Sequence, residues 1–220
     1  MSQQELKKMV AHAAALRIDV SEVFGLGSGS TVNCLIESLA EQRSDIKGVV
    51  PASEETARLL KKHGIPVVDL NDVGTLSQYI DGADEVDHDL CCIKGRGAAM
   101  TNERVVCAAS KKFICMIDES KYVDVLGSDA PVPIEVLVSA KSYISRQIVA
   151  LGGSPVLRVG ALTDSNHMII DAYHLSLQDP VATEKALNNI PGVVGHGLFA
   201  TQRPNVVMIG TSQGVKEKTQ

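Results

Sequence analysis

Three short stretches of this chain gather residue types that hold anions or move protons. The first, Val23-Phe24-Gly25-Leu26-Gly27-Ser28-Gly29-Ser30-Thr31, leaves an apolar run and enters an amphipathic one. At such a point free N–H groups and the positive end of a helix dipole favour an anion, and Ser28, Ser30 and Thr31 add hydroxyl donors. Nucleotide readings fail on spacing. Gly27-x-Gly29 is followed by Val32 where a third glycine belongs, no lysine follows as in a Walker loop, and Val50-Pro51 stands where a ribose-binding acid is needed. A small phosphate or carboxylate is the better guest; the plainer alternative is a tight glycine turn with nothing bound.

The second stretch, Asp81-Gly82-Ala83-Asp84-Glu85, spaces acids with small residues. Asp81 and Asp84 are expected to follow a strand and face one concave site, where paired carboxylates suit proton traffic. The acidic continuation through Asp87, His88 and Asp89 reads as a solvated hairpin turn, and the spacing does not match a calcium loop. The third stretch runs Lys94-Gly95-Arg96-Gly97-Ala98-Ala99 and on to Glu103. A lysine among glycines near acids stabilises a developing oxyanion. Glu103, at a helix start, is either a general base or a routine carboxylate favoured by the dipole.

The elements that must position these groups alternate. Apolar periodicity predicts a helix over about 4–16 with Leu6, Met9, Val10, Ala13 and Ala14 on one face. A strand over 22–26, a helix over 30–39, a strand over 46–50 and a helix over 56–62 capped by Ser53 follow. Then come a strand over 66–70, Tyr79-Ile80, an apolar run over 90–93, a helix over 102–109 and a strand over 113–117. This rhythm predicts a Rossmann-like, doubly wound α/β sheet. The turn-rich segment Gly127 to Pro133 predicts a domain crossing. Beyond it, strands over 132–138, 156–158, 167–171 and 193–196, with helices over 140–151 and 181–190, spell a smaller ferredoxin-like α+β domain. A last strand over 205–210 is expected to return to the first sheet, so residues 1–127 and 203–220 form one domain and 128–202 the other.

Composition excludes several function classes. With 45% hydrophobic and 21% charged residues in 220, the chain buries a real core, and no apolar run approaches the roughly 20 residues of a membrane helix. Its opening, Met1-Ser2-Gln3-Gln4-Glu5, lacks the pattern of a signal peptide. Five cysteines without a Cys-x-x-Cys spacing fit a reducing cytoplasm. A net charge of -5 and 3% aromatic residues argue against nucleic-acid binding.

Taken in order, the three motifs resemble ribose-5-phosphate isomerase of the A type. The likeness continues through Lys112-Phe113-Ile114-Cys115, Ser120-Lys121, Pro133-Ile134-Glu135-Val136, Leu151-Gly152-Gly153, Asn189-Ile190-Pro191-Gly192-Val193 and Gly197-Leu198-Phe199. The resemblance implies that Glu103 is the catalytic base and that Asp81, Asp84 and Lys94 line the reacting end of a sugar phosphate. It also implies substrate contacts at Ser28, Gly29, Ser30, Thr31, Gly82, Ala83, Gly95, Arg96, Gly97 and Lys121, and a homodimer. Two residues depart from the family pattern: Ser28 in the first glycine motif, which keeps the hydroxyl, and Arg96 where glycine is usual. Glycine there would permit a positive φ or a close backbone approach. The Arg96 side chain is expected to point to solvent or to offer the substrate a second cation.

Aldose–ketose interconversion needs a base, an electrophile and a shuttle for hydroxyl protons. Glu103, Lys94 with loop N–H groups, and Asp81 or Asp84 supply these, and no cofactor is called for. Two other classes stay in view: a sugar-phosphate sensor domain, which would want an attached DNA-binding unit, and a nicotinamide dehydrogenase, which the failed dinucleotide spacing opposes.

Overall fold

Ser2 starts the first helix with a capping box: its hydroxyl accepts from Glu5 N, while the Glu5 carboxylate accepts from Ser2 N at 2.6 Å. The computed structural model describes residues 1–220. In chain order its elements are α1 (Gln3–Ala15), β1 (Phe24–Leu26), α2 (Ser30–Leu39), β2 (Val49–Pro51), α3 (Glu54–Lys62), β3 (Tyr79–Gly82), β4 (Glu85–Val86), β5 (Cys92–Ile93), α4 (Met100–Ala108) and β6 (Phe113–Asp118). They continue as β7 (Val132–Val136), α5 (Lys141–Ala150), β8 (Ser154–Leu162), β9 (Met168–Tyr173), α6 (Pro180–Asn188), β10 (Val193–His196), β11 (Leu198–Phe199), β12 (Val206–Thr211) and β13 (Gly214–Thr219).

The chain divides into two compact units. The first comprises Met1–Gly82, Asn102–Tyr122 and Pro204–Gln220. Its six-stranded sheet has the order β13-β12-β6-β3-β1-β2, parallel except for the antiparallel β13 edge. The strand order reverses between β1 and β3, which creates the switch point where doubly wound sheets bind ligands outside their carboxyl ends. Buried Val10, Ala14, Leu35, Ile36, Ile80 and Met116 belong to its core. The buried face of α1 is rotated slightly from the expected one, since Ala11 and Ala15 are buried while Met9 and Ala13 are only half-buried.

The second unit comprises Ala83–Thr101 and Val123–Arg203. Its four-stranded antiparallel sheet, ordered β10-β7-β9-β8, is the ferredoxin-like arrangement, with core residues from α5 (Ile144, Ile148) and α6 (Leu187). The sequence assigns 83–101 to the first domain. In the structure β4 and β5 form a small sheet with β11, order β11-β5-β4, so that segment pairs far along the chain. Glu85 reinforces this arrangement. Its buried carboxylate accepts from the N–H groups of Gly127 (2.6 Å), Asp129 and Ala130 (both 2.7 Å), pinning the turn-rich segment.

Three details differ from the sequence reading. The expected strand over 66–70 is only an isolated bridge between Val67 and Val49, because Asp69 caps a short turn that takes Leu70–Asp72 away from the sheet. The C-terminal hairpin strand β13 went unread, because Lys216, Glu217 and Lys218 lack apolar alternation while suiting an exposed sheet edge. Asp81 does not follow a strand but lies within β3.

Candidate active site

In the first unit, the carboxyl ends of β1 and β3 bring the glycine loop to Asp81. The Ser28 N–H donates to Asp81 Oδ1 at 3.1 Å, and the Gly82 N–H reaches the same oxygen at 2.7 Å. The Tyr79 hydroxyl donates to Oδ2. Asp81 is fully buried, and three donors fix the direction of its carboxylate. This close approach requires Gly27, since a Cβ there would sit 1.8 Å from Asp81 Cγ. Burial, followed by the nearby Asp81 and Glu103 carboxylates, pushes the Tyr79 hydroxyl well above its usual pKa, so it remains a donor.

Glu103 occupies the first turn of α4 and is 3% exposed. The Ser28 hydroxyl donates to Glu103 Oε1 at 2.6 Å, so Ser28 touches two carboxylates: its N–H serves Asp81 and its Oγ serves Glu103. Beyond it, Gly29 takes φ 99° and caps α2 without any side-chain hydrogen bond. The first-turn N–H groups of α2, at Ser30 and Thr31, therefore have no side-chain cap of their own. Lys7 Nζ donates to Ser30 Oγ at 3.1 Å, which adds a cation to this helix start. Lys121 ends a short turn after β6 and is half-buried.

In the second unit, Asp84 accepts the Arg96 N–H at 3.0 Å, and Arg96 Nε lies 3.8 Å from its other oxygen. Lys94 is 3% exposed; its N–H donates to Gly197 O at 2.8 Å and its Nζ lies 5.6 Å from the Phe199 ring centre. Gly197 must be glycine, as a Cβ there would meet Lys94 O at 1.8 Å. The positive φ values of this loop fall on Gly95 (106°) and Ala98 (64°), not on Arg96. Arg96 therefore occupies backbone open to any residue, with its side chain 71% exposed. Gly97 is exposed and Ala83 half-buried. The acidic run forms the expected hairpin, with Asp87 accepting from the N–H groups of Asp89 and Cys91. No group of three or more His, Cys, Asp or Glu side chains is gathered to hold a metal ion.

The structure thus joins Ser28, Asp81 and Glu103 in one network, and Asp84 with Arg96 in another. Tyr79 and Lys7 were missed. Tyr79 carried a readable signal, being two residues before Asp81 on the same face of a strand. Lys7 carried none, because its contact with Ser30 spans 23 residues and depends on how α1 packs.

A doubly wound sheet with a hydroxyl-rich helix start and buried carboxylates at its switch point defines the class as an α/β enzyme fold with its polar groups at the strand ends. The family model for ribose 5-phosphate isomerase A (phosphoriboisomerase A) matches residues 48–214. The ribose-5-phosphate isomerase A of Pasteurella multocida is 49% identical, covering 98% of this chain and 99% of the relative. The crystal structure of ribose 5 phosphate isomerase A from Neisseria gonorrhoeae superposes with a TM-score of 0.96 at 44% identity, covering 99% and 97% of the two chains. A D-ribose-5-phosphate isomerase in complex with phospho-erythronic acid gives 0.95 at 38% identity over all of both chains. The chain belongs to the ribose 5-phosphate isomerase A family.

Proposed function

We propose that this protein interconverts D-ribose 5-phosphate and D-ribulose 5-phosphate through an enediolate, in the non-oxidative pentose phosphate pathway. Family membership supports the reaction. The observation that carries the chemistry is the Ser28 bridge to two buried carboxylates, Asp81 and Glu103, at the switch point of the sheet. Glu103 takes the C2 proton of the open-chain aldose. The C–H electron pair becomes the C1–C2 double bond and the carbonyl electrons move to O1 as an oxyanion. Lys94 and the N–H groups of its loop stabilise that charge. Asp81 or Asp84 assists ring opening and relays the hydroxyl proton, and the acid form of Glu103 returns a proton to C1. Ser30, Thr31 and Lys7 at the start of α2, with Lys121, hold the phosphate. The complex of a family relative with phospho-erythronic acid, a phosphorylated sugar acid, supports this reading.

Proton NMR of ribose 5-phosphate with the pure protein in deuterated water tests the proposal. Ketose should form with deuterium appearing at the exchanged carbon, and an unchanged spectrum would sink it.

For Arg96 the geometry predicts dispensability. Its N–H bond to Asp84 survives any substitution except proline, and an exposed ion pair at 3.8 Å contributes about 1 kcal/mol at most. Arg96→Gly should therefore keep kcat within about tenfold of wild type. A much larger drop in a folded variant would mean the guanidinium has joined the chemistry.

No helix is long and apolar enough to cross a membrane. We propose a cytoplasmic location, supported by five buried cysteines of which none forms a disulfide. We also propose a homodimer, with β8 as its contact. This nine-residue edge strand leaves Val156, Val159 (87% exposed) and Leu162 open, and a long apolar edge needs a cover. A second copy of β8 in a two-fold pairing provides one. Sedimentation should give a dimer that Val159→Lys converts to monomer, and a monomeric wild-type protein would dismiss the idea.

A further inference from the structure

Arg158 lies on β8 and Asp171 on β9. The register sets Val156 opposite Asp171, so Arg158, two residues on, is its diagonal neighbour on the same face of the sheet. The pair is bidentate: Arg158 Nε donates to Asp171 Oδ2 at 2.8 Å, and Nη2 donates to Oδ1. Both side chains are mostly buried, at 18% and 11% exposure. A planar fork held in this way has lost most of its freedom. Its remaining nitrogen, Nη1, donates to Gly95 O at 3.0 Å and to Arg96 O at 3.2 Å.

The Arg96 carbonyl belongs to the Arg96–Gly97 peptide, but the other contacts of this loop meet on the peptide plane before it. The Gly95 carbonyl and the Arg96 N–H belong to the same peptide unit. Its carbonyl is held by Arg158 and, within the turn, by the Ala98 N–H, while its N–H is held by Asp84. That unit is separated from Lys94 by a single peptide, with Gly95 as the pivot between them. Gly95, at φ 106°, sits where glycine's freedom is greatest, so an unclamped peptide there could rotate. Tying β8 to β9 would need only the bidentate pair; the two bonds to loop carbonyls serve the loop.

We propose that Arg158 is a positioning residue for the Lys94 loop, with Asp171 as the anchor that aims it. This role rests on the function proposed above. Removing Arg158 should misplace an oxyanion donor without touching the phosphate-holding groups, so kcat should fall and KM should not. Arg158→Ala is expected to lower kcat by roughly 10- to 100-fold, the scale of a misplacement of about 1 Å. Asp171→Asn keeps the shape and part of the hydrogen bonding and should fall between it and wild type. A cavity of about 270 Å³, lined in part by Asp84, Arg96, Pro133, Arg158 and Asp171, offers a way in for a small cation. Guanidinium ion at non-denaturing concentration should therefore restore part of the lost kcat in Arg158→Ala.

The experiment measures kcat, KM, guanidinium rescue and thermal melts for wild type, Arg158→Ala, Arg158→Lys and Asp171→Asn with ribose 5-phosphate. The inference predicts low kcat at steady KM, with rescue by guanidinium and partial recovery in Arg158→Lys. A kcat equal to wild type, or a loss that tracks the melting temperature across the series and ignores guanidinium, overturns it. Should Arg158→Ala not fold, Asp171→Asn and Arg158→Lys decide by the same split between kcat and KM. Wild-type protein that leaves ribose 5-phosphate unchanged sinks the functional reading and this role with it. An active wild type beside an unimpaired Arg158→Ala sinks the role alone.

Discussion

Replacing Glu103 with glutamine should stop isomerisation and C2 proton exchange together while the protein stays folded. Glutamine retains the Oε1 acceptor for the Ser28 hydroxyl, now at 2.6 Å, so the local hydrogen bond survives. What disappears is the ability to take a proton. Loss of a general base costs about 10² to 10⁴ in rate. The competing explanation is that Glu103 merely complements the dipole at the start of α4. In that case the change should cost about 0.3 to 1 kcal/mol of stability and leave turnover alone. The two results do not overlap. Single-turnover exchange run beside a thermal melt separates them, and near-normal exchange with a lowered melt would assign Glu103 to structure.

Lys94→Ala should lower kcat by roughly 10² to 10³, the usual weight of one preorganised donor to an oxyanion. Lys94 is suited to this task because it is 3% exposed and packs near the Phe199 ring, where its charge is poorly screened by water. Its main chain is separately pinned by Gly197 O, so truncating the side chain should leave the loop in place. Circular dichroism should match wild type. The effect should fall on kcat more than on KM, because the charge being stabilised exists only once the C2 proton has left. An unchanged kcat would remove Lys94 from the chemistry and leave its burial to be explained by packing alone.

Much of the fold was legible because local physics and global structure agree. The Ser53 cap, α2 over Ser30–Leu39 and β10 over Val193–His196 lie where capping and periodicity place them. The glycine loop was legible for the same reason: a strand, small residues and hydroxyls before a helix leave few alternatives. Arg96 was harder. Sequence raises the question of a positive φ there, but backbone dihedrals depend on how the whole turn closes, and the strain falls on Gly95 and Ala98 instead.

The sequence by itself determined the class of sheet, the glycine loop at a helix start, and the residue types able to move a proton, because each is encoded within a few neighbouring positions. Only the tertiary structure decided which of them meet. Asp81 and Ser28 are 53 positions apart, Ser28 and Glu103 are 75 apart, and Arg158 reaches Gly95 across 63. Glu85, the acid next to Asp84 in the sequence, is a structural anchor for three backbone N–H groups. Such pairings follow from strand order and register, set by how long-range apolar surfaces pack, and no local pattern of residues carries that information.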